Sequence, residues 1–478
     1  MTMDTQFQSE IKQKAGQGIF VLILRYGLNF FFNFAGSVFL IRKLGAAAWG
    51  QYAFSFFILT SFIFITYGLW GYIIQKPETP EKELGTCFTI QQLLGLGWGL
   101  VVLFWVSPWA MSHFGGFDVG MMIIGAVIGG YFYSWRNIIS AWQERKMDYV
   151  GVGASEVIDA LVFNLTAVIL AWRGNGVLGI ALGNALRGMT SAAYLHYRSG
   201  MKMEFGFNWE AFKGIFRFGF PYVIYSSLSW LPTQVLPLLV GFFLGPAALG
   251  YVNLAYRTME YPRVVVALVA RVSMSYYSRL AGDMEIYKKE MLRGLEILFI
   301  LIAFGISCLS SLSLFWVPWV YGKEWRLSAI IMMIISVPYI INGCMTFLSI
   351  ALSARGRVTR VATVQLIYNI AFWAGALVLI PRFKDLGLPL SEWVALPFGL
   401  SLLYFVMKDS GRFPVLGYAF RLLQFAAGIA SIGLFFAYGH QLLGLLTFTV
   451  LFVIFFLTRK HFLLMGIKYA SQLSDLFK

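Results

Sequence analysis

Of the 478 residues, 59% are hydrophobic and 12% are charged, against about 25% charged in an ordinary globular chain. So little polar surface excludes a soluble domain of this length and sets lipid around most of the chain. A formal charge of +15 would suit nucleic acid in a soluble protein, but here the basic residues gather in short loops between apolar runs, so anionic membrane lipid is the expected partner and nucleic acid is not.

Apolar runs of at least about 18 residues, enough to cross a bilayer, begin near the N-terminus. The first, 17–41, carries Arg25, Asn29 and Asn33. It is too long for the apolar core of a signal peptide, so it is expected to remain as a span despite the small residues Ala46-Ala47-Ala48. Further runs follow at 47–74, 85–107, 119–142, 151–172, 177–197, 218–243, 247–276, 292–318, 328–352, 361–381, 388–407, 415–438 and 441–458. Membrane strands would be shorter and alternate in polarity, so these runs are helices. The expectation is an all-α polytopic membrane protein of about 14 transmembrane helices, as two six-helix lobes related by pseudo-twofold symmetry plus a C-terminal helix pair. The N-terminal lobe is 1–199, a cytoplasmic interfacial linker 200–217, the C-terminal lobe 218–407, and the last two spans with a cytoplasmic tail 408–478.

In the linker, Trp209, Phe212 and Phe216 share one helical face while Glu210, Lys213 and Arg217 share another. That pattern predicts a short helix lying on the cytoplasmic interface. Orientation comes from Lys and Arg: with a cytoplasmic N-terminus, 23 of them fall on the cytoplasmic side and seven (Arg42, Lys43, Arg173, Lys323, Arg326, Arg382 and Lys384) outside. Cytoplasmic loops are the basic ones, so both termini are expected in the cytoplasm.

The chain repeats itself. LGAAAWG at 44–50 recurs 200 residues later as LGPAALG at 244–250, and on that offset Arg25, Asn29 and Asn33 oppose Tyr225, Ser229 and Thr233. A second match, offset by 210, sets 141–159 against 351–369. Six spans per half, both entering from the cytoplasm, give parallel repeats, and transporters commonly bind substrate where such repeats meet.

Six segments in register carry a wider resemblance: YGLWGYIIQKPETPEKELGTCFTI (67–90), SAWQERKMDYV (140–150), FNWEAFKGIFRFGFP (207–221), LGPAALGYVNLAYRTMEYP (244–262), SYYSRLAGD (275–283) and VYGKEW (320–325). Over about 16–410 the chain resembles the polysaccharide transporter, or oligosaccharide flippase, family of the multidrug/oligosaccharidyl-lipid/polysaccharide exporter superfamily, the group that includes O-antigen and exopolysaccharide repeat-unit flippases. One departure is SMSYYSRL at 273–280, where such sequences usually carry Phe-Pro before the Ser-Arg. The resemblance implies that arginines of the first and eighth spans face a central cavity.

The charges outside the loops point to the chemistry. Seven remain, all arginine: Arg25, Arg136, Arg187, Arg257, Arg263, Arg271 and Arg421. At about 2.5–3.5 kcal/mol each near the bilayer centre, seven facing lipid would cost on the order of 20 kcal/mol, more than the roughly 5–15 kcal/mol of a typical fold. They must be paired, snorkelled or turned to a hydrated cavity. Four acids in or beside spans, Glu156, Asp159, Glu260 and Glu296, leave a surplus of three positive charges. An anionic ligand would complete it, and guanidinium matches phosphate with two parallel donors. The candidate substrate-binding residues are Arg25, Asn29, Asn33, Arg136, Arg187, Arg257, Glu260 and Arg263, with Arg136 and Arg187 alternatively neutralising Asp159 and Glu156. Arg271 and Arg421, near cytoplasmic helix ends, are placed to snorkel. Asp159 is the candidate coupling group, for a proton or sodium ion, or else a permanent arginine partner. Pro221, Pro232, Pro237 and Pro262 are places where spans could bend.

Other chemistries find little footing. Cys87, Cys308 and Cys344 lie in apolar runs without paired spacing, and four scattered histidines offer no metal centre. Gly16-Gln17-Gly18 and Gly151-Val152-Gly153 lack a third phosphate-loop glycine and a preceding strand, and there is no Walker sequence, so no nucleotide cofactor and no direct use of ATP are expected. The expected function is a non-enzymatic flippase in a bacterial cytoplasmic membrane, moving a polyprenyl-diphosphate-linked oligosaccharide outward by rocking of its lobes. A polysaccharide polymerase or ligase is the expected protein partner. A lipid II or multidrug exporter is the alternative within the class. A membrane glycan polymerase or ligase, the alternative outside it, would need a large catalytic outer loop where these loops are short.

Overall fold

The computed structural model describes residues 2–75, 81–146, 148–201, 204–280, 283–410, 415–451 and 453, with side chains from Gly27 onward apart from short stretches. Every regular element in it is helical. Seven stretches among the described residues are long and apolar enough to cross a membrane. Some hold more than one of the runs read from sequence: Val358–Lys408 contains both 361–381 and 388–407. The chain is a polytopic all-α membrane protein. By packing it forms two compact units, the first ending at Gly250 and the second starting at Tyr251.

In the first unit, α1 (Thr2–Ile65) contains a break at Gly45, with φ 77° and ψ 179°. A side chain would strain that conformation, and the break separates the first two apolar runs. Next come α2 (Tyr67–Gln75) and α3 (Glu81–Val101), the latter passing through a π turn at Val102–Val106 into α4 (Ser107–Phe114). The long helices α5 (Phe117–Arg145), α6 (Tyr149–Trp172) and α7 (Gly176–Ser199) follow. Asp148 caps α6 by accepting from the Gly151 amide, and Gly200 ends α7 in the left-handed region. Glycine lets α5 and α7 approach backbone to backbone: a Cβ at Gly125 or Gly129 would strike the carbonyl oxygen of Ala181 or Asn184, and one at Gly188 that of Gly129.

The linker helix is not separate. Asn208 caps it by accepting from the Ala211 amide at 2.9 Å, and α8 (Trp209–Gln234) continues without a break into the run read as the seventh span. Trp209, Phe212, Phe216 and Phe220 stack along it at i+3 and i+4 intervals, a ring ladder that favours the helix continuing. It ends where Pro237 enters the first turn of α9 (Leu236–Leu244). Gly245 then closes α9 with φ 92° and ψ 177°, the same backbone as Gly45. The repeated motifs also touch reciprocally. A Cβ at Gly50 would collide with the Pro246 carbonyl oxygen, and one at Gly250 with that of Ala46.

The unit boundary falls in the first turns of α10 (Pro246–Leu280), which contains Pro262. The second unit adds α11 (Met284–Ser311), α12 (Ser313–Val320), α13 (Arg326–Ala354), α14 (Val358–Phe383), α15 (Gly387–Leu400), α16 (Leu402–Ser410) and α17 (Val415–Ala437). Asp283 accepts from the Glu285 and Ile286 amides, both at 3.1 Å, and starts α11. Tyr287, Phe299, Tyr321, Trp325 and Phe347 are fully buried between these helices.

Candidate functional site

Polar side chains meet one another inside each unit. In the first they come from α1, α5, α6 and α7. Asn29 and Asn33 are one turn apart, and the Asn33 amide donates to the Asn29 carbonyl oxygen at 2.8 Å. Gly36 leaves room for Asn164 of α6, whose amide donates to the Ala160 carbonyl oxygen at 2.7 Å and to Asn33 Oδ1 at 3.4 Å. Five residues earlier on α6, Asp159 receives two guanidinium bonds from Arg187 of α7: Nε to Oδ1 at 3.1 Å and Nη2 to Oδ2 at 2.5 Å. The pair is closed from water, with side chains 8% and 9% exposed. The Tyr133 hydroxyl also donates to Asp159, and the Arg187 guanidinium lies 4.8 Å from the Phe163 ring centre. The glycine contact between α5 and α7 is what brings Tyr133 and Arg187 onto the one carboxylate.

Arg136, one turn beyond Tyr133, takes no part in that pair. Its guanidinium sits 4.6 Å from the Tyr133 ring centre. Arg136 Nη1, Asn137 Nδ2 and Asn29 Oδ1 are buried and without a hydrogen-bond partner among the described residues. Buried polar atoms are seldom left so. They are two donors and one acceptor. The side chain of Arg25 lies outside the described residues.

In the second unit Arg263 Nη1 donates to Glu260 one turn earlier on α10, at 2.7 Å, and its guanidinium lies 5.2 Å from the Tyr339 ring centre. Arg257, on the same helix, is half-buried. Arg421 of α17 bonds Glu296 of α11 at 2.7 Å, so this arginine is paired rather than simply snorkelled. Glu156 is half-buried on α6.

The sequence count of intramembrane acids is one short. Glu392 lies within the run 388–407 and is 4% exposed. Tyr368 Oη donates to its Oε2 at 2.7 Å, and Asn342 Nδ2 approaches the same oxygen at 3.5 Å. Seven arginines therefore face five acids, and the surplus falls from three charges to two. Standing one turn inside the outer end of its run, Glu392 passes in sequence for an interface residue. Tyr133, Asn164 and Tyr368 were equally hidden. Only the i, i+3 spacing of Tyr133 from Arg136 hinted at a partner.

Comparison with known proteins fits this architecture. The family model described as polysaccharide biosynthesis protein matches residues 39–372. The Teichuronic acid biosynthesis protein TuaB of Bacillus subtilis (strain 168) is 21% identical over 305 residues, covering 62% of this chain and 62% of the relative's length. A lipid II flippase, MurJ, solved in an inward closed conformation, superposes with a TM-score of 0.71 at 15% identity, over 94% of this chain and 99% of that one. An inward-facing multidrug resistance transporter of the MATE family gives 0.65 at 17% identity, over 81% and 98%. At these identities the likeness establishes the fold.

Proposed function

The chain belongs to the polysaccharide biosynthesis protein family, and from that premise we propose that it is a flippase. It moves a polyprenyl-diphosphate-linked oligosaccharide repeat unit from the cytoplasmic to the outer leaflet by alternating access, for synthesis of a surface polysaccharide. It works in a bacterial cytoplasmic membrane, with both termini inside, and hands its product to a polymerase or ligase. The observation that carries the reading is the set of buried, unpartnered polar atoms at Arg136, Asn137 and Asn29, in a membrane fold shared with a protein titled a lipid II flippase. A diphosphate has the oxygens to satisfy a guanidinium, and the amides suit sugar hydroxyls. Arg25, Arg257 and Arg263 serve the same anionic head group. The curated relative is named for teichuronic acid biosynthesis and the structural neighbours are titled a flippase and a multidrug transporter, which favours transport over polymerase or ligase chemistry.

Transport draws on a proton or sodium gradient. Asp159, the candidate coupling carboxylate, is surrounded by two guanidinium nitrogens and a tyrosine hydroxyl, an arrangement suited to a fixed charge that orders the first unit.

The test is complementation of a gene deletion with Arg136→Ala, Arg257→Ala and the Arg25→Ala/Arg257→Ala double variant. Each lost charge-assisted contact removes about 1.5–3 kcal/mol, roughly a tenfold to hundredfold loss of apparent affinity. Lipid-linked glycan should build up in the inner leaflet while the variants remain folded and inserted. Lysine should rescue in part, keeping charge without the paired donors. Full export by the double variant would sink the assignment.

A further inference from the structure

The acids of the membrane segments differ in what holds them. Asp159 is clamped by Arg187, Glu260 bonds Arg263 and Glu296 bonds Arg421. Glu392 is as deeply buried as Asp159, yet no Lys, Arg or His nitrogen among the described residues comes within ion-pair distance of it. Its two contacts, Tyr368 Oη and Asn342 Nδ2, are neutral donors, and both converge on Oε2. Oε1 has no hydrogen-bond partner among the described residues. Such a shell neither compensates a full negative charge nor blocks a proton on the second oxygen.

We propose that Glu392 is a proton-binding site, taking up one proton on Oε1 and releasing it once in each transport cycle. This rests on the transporter reading for its consequence, though not for its chemistry. The groups that face Glu392 say what the proton would change. From α10 they are Arg263, Glu260 and Tyr256; from α13, Tyr339 and Asn342; from α14, Tyr368. Arg263 is the only cation in the set. One of its nitrogens bonds Glu260 while its Nε is buried without a partner, and the Tyr256 hydroxyl is likewise unpartnered. When Glu392 loses its proton, a second carboxylate competes with Glu260 for this one guanidinium. Protonated, it leaves Arg263 to Glu260 or to an anionic substrate. The proton and the substrate head group thereby bias the same arginine, the differential interaction that coupling requires.

Neutral donors, rather than several oxygen ligands around the carboxylate, favour a proton over a metal cation: hard cations take six or more oxygens. The inference thus concerns H+ alone, and sodium is an outcome that would refute it.

Two measurements on the full-length protein decide it. Infrared difference titration of the protein in nanodiscs should reveal a carboxylic-acid carbonyl band that forms on lowering pH and shifts in D2O. The band should vanish in Glu392→Gln and persist in Asp159→Asn, while Tyr368→Phe should move its midpoint because it removes one donor to the ionised form. In proteoliposomes, a fluorescently labelled polyprenyl-diphosphate disaccharide should cross faster with a pH gradient in the wild type and in folded Asp159→Asn. Glu392→Gln should cross at the rate seen without a gradient. A band unaffected by Glu392→Gln, or a sodium gradient that replaces the pH gradient through Glu392, would overturn the proposal. If wild-type vesicles move no labelled lipid, the flippase reading fails, but the titration still decides the proton site.

Discussion

Two nitrogens of one guanidinium meet two oxygens of one carboxylate at Arg187 and Asp159, almost closed from water. Removing one partner of a buried pair strands the other and typically costs 3–5 kcal/mol, whereas removing both is often nearly neutral. Asp159→Asn should therefore lower stability by about 3–5 kcal/mol, and Asp159→Asn/Arg187→Gln by clearly less. Thermal unfolding in detergent would show it, and equal losses in the two variants would mean that the charges do not depend on each other. Sequence could nominate this pairing, since charge in an apolar run demands compensation. It could not choose between Arg136 and Arg187, because the choice depends on how α5 and α7 are rotated. Nor could it weigh Glu392, whose meaning comes from Tyr368 and Asn342 on two other helices.

Among elements, apolar length located the helices well, and the repeat of LG at 44–45 and 244–245 marked both turns. Less legible was continuity. An amphipathic start at Trp209 reads as a surface helix, but nothing between it and the apolar run stops the helix, so α8 runs through. Glycine spacing was silent too, until α5 and α7 were seen to touch at Gly125, Gly129 and Gly188. Packing there allows no side chain without displacing main chain. Gly129→Ala should cost about 1–3 kcal/mol, as overpacking does, and because the same contact seats Tyr133 beside Arg187, it should also weaken the first unit's charge pair. Unchanged stability in Gly129→Ala would show that the two helices can part freely.

At the scale of the molecule, composition alone settled the fold class: with 12% charge and repeated apolar runs, only lipid-embedded helices satisfy the backbone. Orientation is a separate inference, resting on the uneven spread of Lys and Arg. Cysteine labelling checks it, at positions that are exposed and free of the positive φ of loop glycines such as Gly116 and Gly200. Ser112 and Glu204 are exposed. Ser112→Cys should react with a membrane-impermeant maleimide from outside, and Glu204→Cys only after the membrane is opened. Labelling of both from one side would break the topology, and the opposite pattern would reverse it. The division of the chain by packing at Gly250, beyond the linker, was not legible, because packing depends on which helices touch rather than on where the repeat begins.

The reciprocal touch of Gly50 on Pro246 and Gly250 on Ala46 has a consequence for how that seam is held. Ordinary helix contacts interlock side chains, and separating them frees rotamers that must be frozen again on return. Here main chain meets main chain at the two glycines, so no rotamer is frozen at those points. Beside them side chains do interlock, for Leu249 is buried in one core with Ala53, Phe54 and Phe114. The glycines therefore act as a gauge that sets how closely the two stretches lie, and the flanking side chains as rivets. A leucine at either glycine would widen the gauge and draw the rivets.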